Sequence, residues 1–372
     1  MGRRREGSAG TSRRRRIGLI GGAAAAVVAV LVVVGLVVLR GSDDEPPTTE
    51  APPTAGPAPT TAPETRAPPT SVLPWPSGVN ANPPRDFRQW EAWVGRPADV
   101  AVVFTSRTDW GTLTRDDWPV KDFRPENYSG LLSVAQPLFP PDGNEAACAR
   151  GEYDHHWAAF GQTLVRNGRP DAIVRLGWEF NGRWMYWHPR DTETWKQCFR
   201  RAATAIRSTS PQVRIDWNMA AYQDRLPNGG DVWDAYPGDD VVDIVSIDVY
   251  DVYPPSRDQE TFNRQCWRPS GPCTVTGFAR QHGKPFAVPE WGLDRRNGGG
   301  GDNPFFIEKM YAFFEGNKDI LLYEAYYHTS EPDNVQSSLY APTLNPQSAQ
   351  RYLELFSRPP SARPATTPPQ TG

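Results

Sequence analysis

The sequence predicts an α/β protein, a (β/α)8 TIM barrel over residues 75–358, on three observations. Runs of β-branched residues alternate with amphipathic helical stretches through the whole segment, the rhythm of a parallel sheet wrapped by helices. The 282 residues from Trp75 to Phe356 suit one large barrel rather than two domains. Two apolar runs, RLGWEFNGRWMYW at 175–187 and KPFAVPEWGL at 284–293, each carry a glutamate wrapped in tryptophan, and Glu179 and Glu290 stand 111 positions apart. At roughly 37 residues per βα unit that separation is about three units, which sets the two carboxylates on strands 4 and 7.

Taken in order, the chain opens on a basic head, residues 1–16, with seven arginines, followed by an uninterrupted apolar run at 17–39. At 23 residues the run exceeds the roughly 20 that cross a bilayer, and no small-x-small cleavage site follows it. It is read as a transmembrane signal anchor. Positive charge on its N-terminal side leaves the head in the cytoplasm and the rest outside the cell membrane. Residues 40–74 form a linker, of which 41–70 hold 9 Pro and 7 Thr and almost nothing aromatic. Such a stretch cannot bury a core and is expected to stay disordered and extended, at about 3.1 Å per residue in polyproline geometry. A Pro/Thr tail, 359–372, is expected to trail in solvent.

Within the barrel, strands are expected at 77–81, 100–106, 131–138, 173–179, 213–220, 242–250, 286–290 and 320–327. Helices are expected at 86–94, 154–167, 192–208, 275–282, 304–316 and 346–356. All 14 tryptophans fall in this domain; many are expected to line a cleft, and about half to fill the core. Cys266 and Cys273 close a short loop through WRPSGP, which leaves Cys148 and Cys198 for a second disulfide in an extracellular segment. No CxxC or Cys/His spacing supports a metal. Beyond the basic head the chain keeps 33 basic against 42 acidic side chains, a balance that speaks against nucleic acid as a partner.

Active sites of such barrels gather at the C-terminal ends of the strands. Glu179, Trp184, Asn218, Asp248, Tyr250, Glu290 and Tyr326 fall at or just past those ends, with Asp109 and Trp110 after strand 2. Two glutamates in aromatic surroundings point to glycoside hydrolysis, in which retention needs carboxyl groups about 5–5.5 Å apart, one protonated and one ionised. Desolvation by Trp178, Trp184 and Trp187 would raise the Glu179 pKa and keep it an acid. Arg175 shares strand parity with Glu179 and is expected to point into the same cavity. Asp248 is read either as a substrate partner or as an anchor of a strand end. The tandem His155 and His156 are expected to point apart on their helix, and the glycines at 298–301 to form a mobile loop over the cleft.

These residues resemble glycoside hydrolase family 26, a branch of the retaining (β/α)8 clan best known for β-mannanases. RLGWEFNGRWMYW resembles the family's strand 4 segment, YPGDDVVDIVSIDVYD at 236–251 the run into strand 6, and KPFAVPEWGL the strand 7 segment. The resemblance implies Glu179 as acid/base, Glu290 as nucleophile, Tyr250 as the nucleophile's hydrogen-bond partner, Trp184 as a sugar platform and Arg175 as support. Trp178 stands where family members usually place a histidine, and tyrosines replace the usual strand 8 tryptophan; both departures bear on the substrate. The expected function is a retaining glycosidase, endo-β-1,4-mannanase-like, acting on β-mannan or a related β-linked polysaccharide, with no cofactor and no metal. Its substrate-binding candidates are Arg175, Trp178, Trp184, Tyr250, Asp248, Asn218, Trp110, Trp291 and Tyr326. The competing expectation is a surface carbohydrate-binding protein on a glycosidase fold that has lost turnover.

Overall fold

Short runs of Val, Ile, Leu and Ala, buried on both faces, pair side by side as a parallel sheet requires. The computed structural model describes residues 71–80 and 84–357. The basic head, the apolar run at 17–39 expected to be a membrane anchor, the linker up to residue 70 and the tail at 359–372 lie outside the described residues. The strands are β1 (Ser77–Asn80), β2 (Val100–Phe104), β3 (Leu131–Gln136), β4 (Ile173–Leu176), β5 (Arg214–Ala220), β6 (Ile244–Tyr250), β7 (Phe286–Gly292) and β8 (Leu321–Tyr326). They close in chain order, β8 pairing back on β1, into one parallel barrel.

The helices are α1 (Pro84–Val94), α2 (Trp110–Thr114), α3 (Trp118–Lys121), α4 (Glu145–Ala149), α5 (Asp154–Arg166), α6 (Thr192–Thr209), α7 (Gln259–Cys266), α8 (Pro272–Gln281), α9 (Pro304–Gly316) and α10 (Pro346–Phe356). Their starts are chemically marked. Asp191 accepts the Thr194 N–H at 2.9 Å to cap α6, and Asp258 accepts the Thr261 N–H at 2.7 Å to cap α7. Proline opens α8, α9 and α10, where its missing N–H costs nothing. The expected long helices all form. The sequence reading missed α2, α3, α4, α7 and a 3₁₀ turn at Val232–Ala235, because elements of four to eight residues hold too little of a 3.6-residue period to register.

Alternation sorts each strand into an inward and an outward row. Val100, Val102, Leu131, Ile173, Ala287 and Tyr323 pack together inside the barrel, while their neighbours join the larger core under the helices. That outer core consumes the tryptophans. Trp75, Trp90, Trp157, Trp187, Trp195, Trp217 and Trp291 are wholly buried there, and only Trp118, Trp178 and Trp184 reach the cleft. The expectation of many cleft tryptophans is thus corrected; indole is the largest filler for the space between sheet and helices.

Both disulfides form in the expected pairing, Cys148–Cys198 tying α4 to α6 and Cys266–Cys273 tying α7 to α8. The first closes a loop of 50 residues, worth about 4 kcal/mol in lost freedom of the unfolded chain. The linker ends earlier than residue 74. Ser71 donates to Asp99 Oδ2 at 2.7 Å and Leu73 is buried, so residues 71–74 belong to the folded body.

Candidate active site

The motif after β4 makes a turn where a longer strand was expected. Gly177 (φ +58°) and Glu179 (φ +51°) both adopt left-handed backbone, so β4 stops at Leu176 instead of running to Glu179. For a glutamate that conformation costs about 1–3 kcal/mol and persists only when its surroundings over-determine it. They do so here. The Glu179 N–H donates to Asn218 Oδ1 at 3.1 Å, and the Gly182 N–H donates to the Glu179 carbonyl at 2.8 Å. Asn181 clamps the turn to the end of β5, accepting the Ala220 N–H and donating to the Ala220 carbonyl, both at 2.8 Å. Gly182 is required because a Cβ there would meet the Trp184 ring at 2.5 Å. Trp184 lies back over that glycine and donates its indole N–H to Glu179 Oε2 at 2.7 Å, and the residue is 55% exposed.

Glu290 reaches the same cleft by a different device. Ala287 faces inward and Val288 outward, so strict alternation would aim Glu290 at the helices and Trp291 at the barrel axis. The register of β7 shifts between Val288 and Trp291 against β8, and against β6 in the same stretch. This bulge turns Glu290 inward and Trp291 outward.

Beneath Glu290 lies a buried polar network. Arg175, wholly buried, donates from Nη2 to Glu290 Oε1 at 2.7 Å, to Asp248 Oδ2 at 2.5 Å and to Asn218 Oδ1 at 3.3 Å. Asn218 in turn donates to Asp248 Oδ1 at 3.1 Å and Ser246 Oγ at 2.9 Å. Tyr250 donates its hydroxyl to Glu290 Oε2 at 2.8 Å, so both oxygens of Glu290 are held. Burial disfavours the Arg175 cation, but Asp248 and Glu290 outweigh it and hold its pKa above the ordinary guanidinium range. Burial pushes Asp248 well up, and Tyr250 likewise, helped by the charge of Glu290, so the phenol stays a donor.

Glu179 is set apart from its partner. Burial first, then the neighbouring charge of Glu290, pushes its carboxyl up to about 7, against the opposing Trp184 hydrogen bond and the charges of Arg175 and Arg107. Both glutamates open onto one cleft of about 730 Å³ at the C-terminal ends of the strands. Trp178, Trp184, Asp248 and Tyr250 line it as expected, while Arg175 and Asn218 lie below its floor as supports.

Three expected contacts with substrate are corrected. Trp110 stacks on His156 at 4.2 Å and packs against Tyr153, away from the cleft, because Asp109 caps α2 and fixes that helix on α5. Trp291 is wholly buried against Phe314 and Tyr326 and donates to Glu324 Oε2 at 2.5 Å. Tyr326 is buried beside Trp90 and donates to the Ser337 carbonyl at 2.7 Å. Outward parity is the reason for both, and on β8 the next residue, Tyr327, enters the cleft instead.

Two further readings change. The rings of His155 and His156 lie 3.9 Å apart rather than pointing away from each other. Burial, then the charge of His155, pushes His156 down to about 4. Among the described residues no group of three or more His, Cys, Asp or Glu is placed to hold a metal. Of the glycines after β7, the middle two are packed in place while Gly298 and Gly301 face open space: a Cβ on Gly299 would strike the Asp294 carbonyl at 2.2 Å and one on Gly300 Asp251 Oδ2 at 1.8 Å, and the Gly300 N–H donates to the Asp251 carbonyl at 2.9 Å. Sequence reasoning missed Arg107, Tyr222, Tyr253 and Arg296, cleft residues on loops after β2, β5, β6 and β7. Loops carry no periodicity that would have revealed them.

The family described as "Glycosyl hydrolase family 26" matches residues 158–284, which include Glu179 and Tyr250 and stop short of Glu290. A β-1,3-xylanase from Alcaligenes sp. is 28% identical over 144 residues, 38% of this chain and 27% of that protein. The β-1,3-xylanase TXYA of Vibrio sp. is 27% identical over 151 residues, 40% of this chain and 29% of that one. The chain thus spans under a third of the length of these relatives. Among solved structures, GH26C from Muricauda sp. MAR_2010_75 shares the fold with a TM-score of 0.54 at 15% identity, over 77% of this chain and 86% of that one. The catalytic domain of a Bacillus sp. JAMB-750 endo-β-1,4-mannanase does so with a TM-score of 0.52 at 14% identity, over 72% and 79%. The family match thus lies across β4, β5 and β6 of a closed eight-stranded barrel, and over residues 158–284 the chain is similar to glycosyl hydrolase family 26.

Proposed function

We propose that the protein is a retaining glycoside hydrolase acting on a β-linked polysaccharide, with Glu179 as acid/base and Glu290 as nucleophile. One observation carries this reading. Two glutamates meet in one cleft in opposite environments, Glu179 raised to about 7 by burial and Glu290 held between a guanidinium and a phenol. Glu179 gives its proton to the glycosidic oxygen while a Glu290 oxygen attacks the anomeric carbon and the C–O bond breaks, leaving a glycosyl ester on Glu290. Glu179, now a carboxylate, takes a proton from water, whose oxygen attacks the same carbon and frees Glu290. Trp184 supplies a face for the sugar beside the bond that breaks.

The substrate is tested by incubating the protein with β-1,4-mannan, β-1,3-xylan, other β-xylans, β-glucans and cell-envelope glycans, and reading released oligosaccharides. β-1,4-Mannan and β-1,3-xylan come first, because similar proteins bear those names. Trp178, with one indole donor and no acceptor, favours a sugar that needs no acceptor at that point. Retention of a glycan without any product would move the assignment to a binding protein.

A pH profile tests the acid. As Glu179 must be protonated, kcat/KM is expected to fall as pH rises through about 7. Trp184→Phe removes a donor that favours the charged form, so the alkaline limb should move to higher pH; a limb that stays in place would deny Glu179 this role.

The run at 17–39 is proposed to anchor the chain in the cell membrane with the barrel outside. Among the described residues no helix is long and apolar enough to cross a membrane, so the anchor rests on residues 17–39 alone. The full-length chain is expected to resist extraction of membranes with alkaline carbonate, and its release into the wash would remove the anchor from the proposal.

A further inference from the structure

Among the described residues five large apolar side chains are exposed, and four of them are aromatic: Trp118, Trp184, Tyr253 and Trp267. The first three line the cleft. Trp267 is the most exposed of all at 69%, and its indole makes neither a ring contact nor a hydrogen bond within the described residues. A single exposed tryptophan is ordinary on a protein surface. Its seat is not.

Trp267 sits in the turn between α7 and α8. Since α8 runs down to the start of β7, this turn lies at the C-terminal side of the barrel, level with the cleft. Arg268 fastens it there. Its guanidinium donates to the Tyr253 carbonyl at 3.1 Å, the Tyr222 carbonyl at 2.9 Å and Asp224 Oδ2 at 2.8 Å. Ser270 adds bonds to Asp224 Oδ1 at 2.7 and 3.1 Å, and its carbonyl accepts the Tyr222 N–H at 3.1 Å. The Cys266–Cys273 disulfide closes the turn, and at Gly271 a Cβ would strike the Gln265 carbonyl at 2.3 Å. Tyr222 and Tyr253, the residues whose carbonyls Arg268 grips, are themselves cleft walls. An indole facing solvent is thus bolted, through backbone bonds, to the β5–β6 rim of the cleft.

We infer that Trp267 is the platform of an outlying sugar-binding subsite, which takes a unit of the β-linked polysaccharide beyond those held at Glu179 and Glu290. This rests on the function proposed above. A pyranose ring presents an apolar C–H face bordered by hydroxyls, and a rigid, solvent-facing indole matches that face at little cost in ordering. A platform outside the central cleft serves a chain longer than the bond being cut requires. It therefore implies a polymer rather than a disaccharide as the substrate, and action within the chain.

The test uses the full-length protein in detergent and its Trp267→Ala and Trp267→Phe variants. Retardation in native gels cast with β-1,4-mannan or β-1,3-xylan is measured beside kinetics on each polymer and on the matching aryl disaccharide, whose groups occupy only the positions beside the cleaved bond. For Trp267→Ala the expected result is less retardation and about a tenfold rise in KM for the polymer, near 1.4 kcal/mol, with kcat kept. The aryl disaccharide should keep its KM, and Trp267→Phe should restore most of the polymer affinity. Unchanged retardation and KM on a polymer that the parent protein cleaves would overturn the subsite alone. So would an equal rise in KM for the aryl disaccharide, which would make Trp267 a support of the central cleft. A change of sedimentation from dimer to monomer would make it a contact between copies and overturn the subsite too. If the parent neither cleaves nor is retarded by any glycan, the proposed function fails and the subsite fails with it.

Discussion

Glu290→Gln is expected to lower kcat by at least about a thousandfold, since removal of a reacting group that acts as part of a unit takes most of the catalysis with it. The substitution keeps volume; its amide oxygen still accepts from Arg175 Nη2 and its amide N–H can donate to the Tyr250 hydroxyl, the groups that reach Glu290 at 2.7 and 2.8 Å. Loss of activity with an unchanged melting curve would therefore report chemistry rather than folding. An amide oxygen is too weak a nucleophile to form the glycosyl ester, and neither hydrogen bond can change that. Stereochemistry separates the two roles. With an activated aryl β-glycoside and azide, Glu290→Gly should yield the inverted α-glycosyl azide, the anion entering where the carboxylate stood. Glu179→Ala should yield the retained β-glycosyl azide, because Glu290 still forms the ester and azide, needing no base, replaces water. Full activity in either variant, or the opposite stereochemistry, would reverse the assignment.

Arg175→Met is expected to cost about 3–5 kcal/mol of stability, the scale on which one partner of a buried charge pair leaves the other uncompensated. Nη2 of this one side chain meets both Asp248 and Glu290, and neither Arg175 nor Asp248 has side-chain surface in water. Methionine fills the space but leaves two carboxylates side by side without a counter-ion. The pH dependence has a definite sign. Burial already raises Asp248 above its ordinary value, and loss of the cation raises it further, so the folded variant binds more protons than the unfolded chain. Its stability should therefore rise as pH falls toward the ordinary carboxylate range. Urea denaturation at a series of pH values measures this. A variant as stable as the parent at neutral pH, or one that weakens on acidification from neutral, would show that Arg175 does not neutralise this pair. Activity is expected to fall in the same variant, because Glu290 loses one of the two donors that hold it in place.

Much of this site could be read in the chain before any coordinates. Glu179, Tyr250 and Glu290 are recognisable because each ends or closely follows an apolar, β-branched run whose spacing counts strands, and Trp184 because it stands five residues past Glu179 in a segment that resembles the family's. Arg175 was expected to point into the cavity on parity with Glu179. It does point inward, but that parity has no continuation past Leu176, since Gly177 and Glu179 are left-handed. Trp291 and Tyr326 show the limit from the other side. Both stand next to residues that enter the cleft, and adjacency in a strand means the opposite face. For Tyr326 the inward row of β8 through Tyr323 would have given the right face. For Trp291 it would not, because the bulge in β7 exchanges the two faces between Val288 and Trp291.

Composition and periodicity were sufficient for the barrel, the order of its strands, the two disulfides and the two glutamates, all of which depend on short-range pattern and on counting. Which way each side chain faces, how the Arg175 network forms, and that the turn carrying Trp267 is fastened to the cleft residues Tyr222 and Tyr253 were decided only in the folded molecule. One bulge of a single residue, one left-handed glutamate and one arginine gripping carbonyls from two distant loops settle those points. Each is the outcome of packing between segments tens of residues apart, where local sequence preference carries no information about the partner.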